Sequence, residues 1–168
     1  MRPPLNPEGP VIIVDPYSSG VLYAPAFRGA GVPVVAVTSR REIPEVYAAS
    51  YHPEDFSEII HFEGDYGPVV RRLRELAPRC VLPGTETGVE LADILAAEVV
   101  PDAANPSELC SARRHKWHMA DAVARAGLPV LAQICTDDPE DVAAWIDREN
   151  LAGRDLVKIG RASCRERV

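Results

Sequence analysis

Four short apolar runs punctuate residues 1–104: VIIVD from Val11, PVVAVTS from Pro33, SEIIHF from Ser57 and RCVLPG from Arg79. An unbroken apolar run rich in β-branched residues suits a strand buried on both faces, as in a parallel sheet. After the first run PYSSG breaks the pattern, and Val21 to Ala30 takes a helical spacing despite Pro25 until Gly31 and Pro33 stop it. In the stretch from Pro68 to Pro78, Val69, Leu73 and Leu76 share one helical face. Strands alternating with helices in this way predict right-handed crossover units and a Rossmann-like parallel sheet with helices on both sides.

From VVPDAANP, at residues 99–106, the character changes to that of a connector, and a second unit is expected from residue 105. Asn105, Pro106 and Glu108 fit an N-cap, a first helical turn and a capping-box partner, opening a helical stretch to Gly127 with a break near Arg113. LPVLAQICT, at 128–136, reads as a strand. Asp138 and Pro139 start a further helix with Val142, Trp145 and Ile146 as its buried stripe, and RDLV at 154–157 begins another strand.

Composition narrows the partners. A formal charge of −7 argues against binding to a phosphate backbone, which depends on neutralisation by Lys and Arg, so a small-molecule partner is expected and nucleic acid is not. No apolar run reaches membrane-spanning length and the N-terminus lacks a secretory pattern, so a cytoplasmic protein with no membrane partner is expected. Cys80, Cys110, Cys135 and Cys164 form no Cys-x-x-Cys pair and read as reduced thiols rather than zinc ligands. Among the eighteen basic residues only Lys116 and Lys158 are lysine, a bias that base composition explains but that singles out these two.

Ligands of open parallel sheets bind beyond the carboxyl ends of the strands, which directs attention to the loops after the first and fourth runs. In the first loop Ser18, Ser19 and Gly20 stand at a helix N-terminus, where they either favour an anion or simply make a turn and cap. In PGTETGVELAD, Gly84 and Gly88 allow close backbone approach and Glu86 offers a carboxylate to a substrate ammonium. The alternative there is capping by Thr85 or Thr87, with Glu86 complementing the helix dipole. In a continuous helix Lys116 would share an apolar face with Leu109 and Val123, where it either meets an anion such as a nucleotide phosphate or snorkels to water. His115 and His118 are three apart but have no third metal ligand in view, so no metal site is assigned. There is no nucleophile elbow, Walker loop or HExxH, and no catalytic residue is assigned.

In order and spacing, VDPYSSG, LPGTETGVELAD, RRHKWHMADAVARAGLPV and DLVK resemble the N-terminal half of ATP-grasp carboxylate–amine ligases, nearest to the amino-acid and dipeptide ligases. The resemblance covers most of residues 11–158. It implies a Rossmann-like pre-ATP-grasp domain at 1–104, followed at 105–158 by the incomplete start of an ATP-grasp small lobe. It further implies a parent enzyme, compatible with a homodimer, that uses ATP and Mg²⁺ to phosphorylate a small-molecule carboxylate and lets an amine attack the acyl phosphate. By the same resemblance Lys116 and Lys158 are ATP contacts, although His115 stands where the family's stretch has Asp, and Ser18, Ser19, Gly20, Gly84, Glu86 and Gly88 line the substrate side. The catalytic lobe is not in the sequence, so neither turnover nor tight cofactor binding is expected of these 168 residues.

Two other classes fit less of the chain. A free-standing Rossmann-like module for a nucleotide or metabolite leaves the second unit unexplained, and a nicotinamide-dependent oxidoreductase lacks the glycine spacing in its first loop. The final ten residues, Ile159 to Val168, match the in-frame translation of a common short-read sequencing adapter, and are expected to be an artefact rather than an arginine-rich tail. The adapter also supplies the last two bases of a Lys158 codon. Without its three arginines and one glutamate the chain carries −9.

Overall fold

The computed structural model describes residues 6–151 and 153. The strand expected at 154–157, Lys158 and the stretch 159–168 lie outside the described residues.

β1 (Val11–Val14) pairs on one side with β2 (Val34–Thr38) and on the other with β4 (Cys80–Pro83). β3 (Glu58–His61) adds beyond β2, so the four strands run parallel in the order β3-β2-β1-β4. This is an α/β fold of Rossmann-like type, as the four apolar runs predict. β1 and β2 are buried along their whole lengths. Edge strand β3 keeps Glu58 and His61 among its four residues, in line with polar protection of a sheet edge.

The period-two alternation of each strand sends its side chains to two separate cores. Ile12, Val14, Val35 and Val37 meet Val69, Val70 and Leu73 of α3 (Tyr66–Leu76) and Leu91, Ala92, Leu95 and Ala96 of α4 (Val89–Val99). On the opposite face Val11, Ile13 and Val34 meet Ala24 of α1 (Tyr23–Gly29), with Phe27, Val32 and Phe56 closing the edges. Each large apolar side chain removed from water contributes about 1.5–3 kcal/mol, so the two faces account for most of the drive to fold. In α3, Asp65 caps the first turn by accepting from the Gly67 N–H at 2.9 Å, and Ala77 ends the helix in a left-handed conformation.

The segment 99–106 joins this core: Val99, Val100 and Ala104 rest against the α3–α4 layer. Asn105 donates from its side-chain amide to Asp93 of α4 at 3.3 Å. The capping box expected of Asn105 and Glu108 is consequently not formed. Pro106 takes the cap position of a 3-10 turn, Ser107–Leu109, without a side-chain bond.

The chain divides into two compact units, Met1–Cys110 and Ser111–Val168. The helical stretch expected up to Gly127, with a break near Arg113, divides at His115, whose backbone is extended at φ −110° and ψ 115°, into α5 (Cys110–Arg114) and α6 (Lys116–Arg125). Lys116 and Val123, seven apart on α6, keep a common face, whereas Leu109 ends the 3-10 turn Ser107–Leu109 and is not part of that helix. The run LPVLAQICT, expected as a strand, has no strand structure. Apolar β-branched content makes a strand only where a neighbour completes the hydrogen-bond ladder, and among the described residues this run has none. α7 (Pro139–Arg148) follows expectation: Asp138 accepts from the Glu140 N–H at 2.8 Å, and Trp145 is buried with Val142 and Ile146 half-buried beside it. Among the described residues no helix is long and apolar enough to cross a membrane.

Candidate functional site

The strand order defines where a ligand can enter. The chain builds outward from β1 through β2 to β3, then returns to place β4 on the other side of β1. Loops leaving β1 and β4 therefore part around a topological switch point, the usual binding crevice of an open α/β sheet. The two loops singled out in the sequence, DPYSSG and PGTETG, are those loops.

Their contact is close. A Cβ on Gly20 would lie 2.5 Å from the Gly84 carbonyl oxygen, and one on Gly84 would lie 2.5 Å from the Asp15 carbonyl oxygen and 2.8 Å from the Pro16 Cα. Gly88 likewise faces the Val14 carbonyl oxygen at 2.6 Å. The close approach that these glycines permit is thus made by the chain's own backbone. Gly20, Gly84 and Gly88 are buried, whereas Ser19 and Glu86 are exposed and Ser18 is half-buried.

Neither capping alternative is formed. Tyr17 occupies the cap position of the 3-10 turn Ser18–Leu22 that leads into α1, and Thr85 that of the turn Glu86–Gly88 that leads into α4, both without side-chain cap bonds. The Ser18 N–H donates to Ser50 Oγ at 2.8 Å, and Ser50 donates onward to the Tyr47 carbonyl at 3.0 Å.

Beneath the two loops lies a buried polar cluster that sequence reasoning did not assign. Asp15, with no solvent exposure, accepts from the Ser39 N–H at 2.7 Å, Ser39 Oγ at 2.8 Å and Thr87 Oγ1 at 2.5 Å. Tyr17 is also buried; desolvation first, then the neighbouring Asp15 carboxylate, push its phenol well above the ordinary tyrosine range. Tyr17 therefore stays a neutral hydroxyl. Its ring stacks on Tyr47 at 4.9 Å and meets Tyr51 edge-on at 6.1 Å. Asp15 and Ser18 both have left-handed backbones, φ 54° and 56°. Such conformations cost on the order of 1–3 kcal/mol at non-glycine residues and persist where surrounding contacts enforce them. The signal in the sequence was the carboxylate ending an otherwise apolar strand: buried there, it needed donors, and Ser39 and Thr87 supply them.

In the second unit Lys116 is the first residue of α6 and is half-buried. His115 precedes it, its ring stacked on His118 at 4.4 Å and its Nδ1 buried with no hydrogen-bond partner among the described residues. The helix has ten residues and no side-chain cap, so its first turn, with Lys116 upon it, suits an anionic group such as a phosphate. Among the described residues no cluster of three or more His, Cys, Asp or Glu side chains could hold a metal ion. Among the described residues Cys80, Cys110 and Cys135 form no disulfide, and burial pushes the Cys80 thiol up, away from the reactive thiolate.

Fold and loop placement together define an α/β protein of Rossmann-like type whose two glycine-bearing loops meet at the carboxyl edge of its sheet. No protein-family profile matches the chain. Over 145 residues it is 28% identical to dapdiamide A synthase of Enterobacter agglomerans, a match that takes in 84% of this chain and 34% of that protein. The chain thus spans about a third of the length of the curated relative it matches. That relative is a synthase, and the match supports, at the level of family, the ligase resemblance carried by the four motifs.

Proposed function

We propose that these residues are the amino-terminal part of an ATP-dependent carboxylate–amine ligase. The observation that carries the reading is the meeting, at the switch point, of the two loops that bear the ligase-like motifs, with Glu86 exposed beside them. Similarity to a synthase across 84% of the chain supports it independently. In such a ligase ATP supplies a phosphoryl group to a substrate carboxylate, and the amine then displaces phosphate to form the amide. Ser18, Ser19 and Gly20 with Gly84, Glu86 and Gly88 would line the substrate side, where the Glu86 carboxylate would receive an ammonium group. Lys116 would hold a phosphate oxygen, as its place in the first turn of α6 favours, and Lys158 is proposed for the same role from the sequence resemblance alone. The described residues offer no ligand set for Mg²⁺.

The test is a thermal-shift titration of the polypeptide extended to the length of its relative, using ATP with Mg²⁺, NAD(P) and amino acids, followed by an assay for amino-acid-dependent ADP release. Stabilisation by ATP and by an amino acid, with ADP release, is expected. Stabilisation by a dinucleotide alone would overturn the reading in favour of a binding module or oxidoreductase. The 168-residue chain itself is expected to release no ADP.

A further inference from the structure

Asp15 receives bonds from two other loops, that of Ser39 after β2 and that of Thr87 after β4. Asp15 itself follows β1, so one carboxylate joins the carboxyl ends of three strands. A carboxylate has room for about four donors. Ser39 provides two and Thr87 a third. Thr87 is informative because the residue is exposed while its hydroxyl turns inward to the buried oxygen, so its polar atom rather than its bulk joins it to the cluster.

We propose that Asp15 is the positioning residue of the switch-point loops, fixing Glu86 through its neighbour Thr87 and holding the turn Ser18–Gly20 against the same loop. What those loops bind rests on the ligase reading; the clasp does not. Gly88, set against the Val14 carbonyl, pins the loop on one side of Thr87, and the Thr87 hydroxyl on Asp15 pins the loop between. The backbone of Glu86, immediately before them, is set by these two contacts.

The experiment is hydrogen–deuterium exchange on the whole 168-residue chain. Thr87→Val keeps the shape and removes the donor, and is expected to speed exchange in peptides covering 84–89 about tenfold, the equivalent of one charge-assisted hydrogen bond, with α3 unchanged. Thr87→Ser keeps the donor and is expected to restore protection, a rescue that a steric role for the threonine would not give. Parent-like exchange in Thr87→Val, or equal loss in Thr87→Ser, would overturn the proposal. Asp15→Asn should release both the 84–89 peptides and the Ser39 amide; because that change also weakens the sheet ends it joins, the Thr87 pair decides. In the extended polypeptide the amino-acid-induced thermal shift should weaken in Thr87→Val and return in Thr87→Ser. If the unsubstituted extended chain shows no such shift, the ligase reading fails, while the exchange result still decides the clasp.

Discussion

Helices α4 and α6 have similar lengths and lie in different units, yet only one of them is buried. α4 places Leu91, Ala92, Leu95 and Ala96 in the core beneath the sheet, while α6 has no buried residue and leaves Trp117 and Met119 partly in solvent. Among the described residues every buried apolar side chain except Trp145 belongs to the first unit. The contrast shows that an amphipathic pattern becomes core only where a second layer meets it. Four paired strands supply that layer in the first unit, whereas the apolar run 128–136 of the second has no partner strand among the described residues.

The comparison is broken or sharpened most strongly in the cores. Leu73→Ala, at a site with no exposure, should cost about 2–5 kcal/mol, whereas Leu131→Ala, at 89% exposure, should fall within about 0.5 kcal/mol in urea denaturation. Similar costs at the two positions would show that the second unit has a core of its own.

Glycines come next. Gly84→Ala must drive a Cβ into the Asp15 carbonyl and Pro16, which should cost roughly 1–3 kcal/mol or more through overpacking. Gly127→Ala, after α6, meets open space and pays only for its left-handed backbone at φ +76°, about 1–2 kcal/mol. Melting temperatures of the two variants measure the difference.

Helix caps should erase the contrast, because they act locally. Asp65→Ala and Asp138→Ala each remove an acceptor from the first turn of a helix, and each should cost about 0.5–2 kcal/mol whichever unit holds it. A much larger effect at Asp65, read by circular dichroism melts, would mean that the cap of α3 also supports the sheet.

The smallest effect at neutral pH concerns Tyr17. Its phenol is raised in the folded state, so the stability it contributes is fully present below the ordinary tyrosine range near pH 10 and is lost as pH rises through the raised value. Tyrosinate absorbance in an alkaline titration should show the phenols of Tyr17 and Tyr51, both raised by burial, ionising late, and Tyr17→Phe should reduce the late groups from two to one.

The strands were legible because burial on both faces demands a distinctive composition, and VIIV and VVAVT satisfy it without help from neighbours. α3 and α7 were legible for the related reason that cap and apolar stripe are both local. The break near Arg113 was legible too and falls at His115, whereas the lack of strand structure at 128–136 was not, since strand pairing depends on which backbone the fold brings alongside. At the candidate site the sequence marked both loops and their glycines. It gave no sign that the glycines would seat one loop on the other.

Composition and spacing by themselves therefore determined a parallel α/β sheet with helices on both faces, and the two loops at its switch point. Only tertiary structure decided that Asp15, Tyr17, Ser39 and Thr87 form one buried cluster, because Asp15 and Thr87 are 72 positions apart and meet only after β4 has paired with β1. A carboxylate removed from water takes whichever donors the fold brings within reach, and sequence order carries no record of that distance.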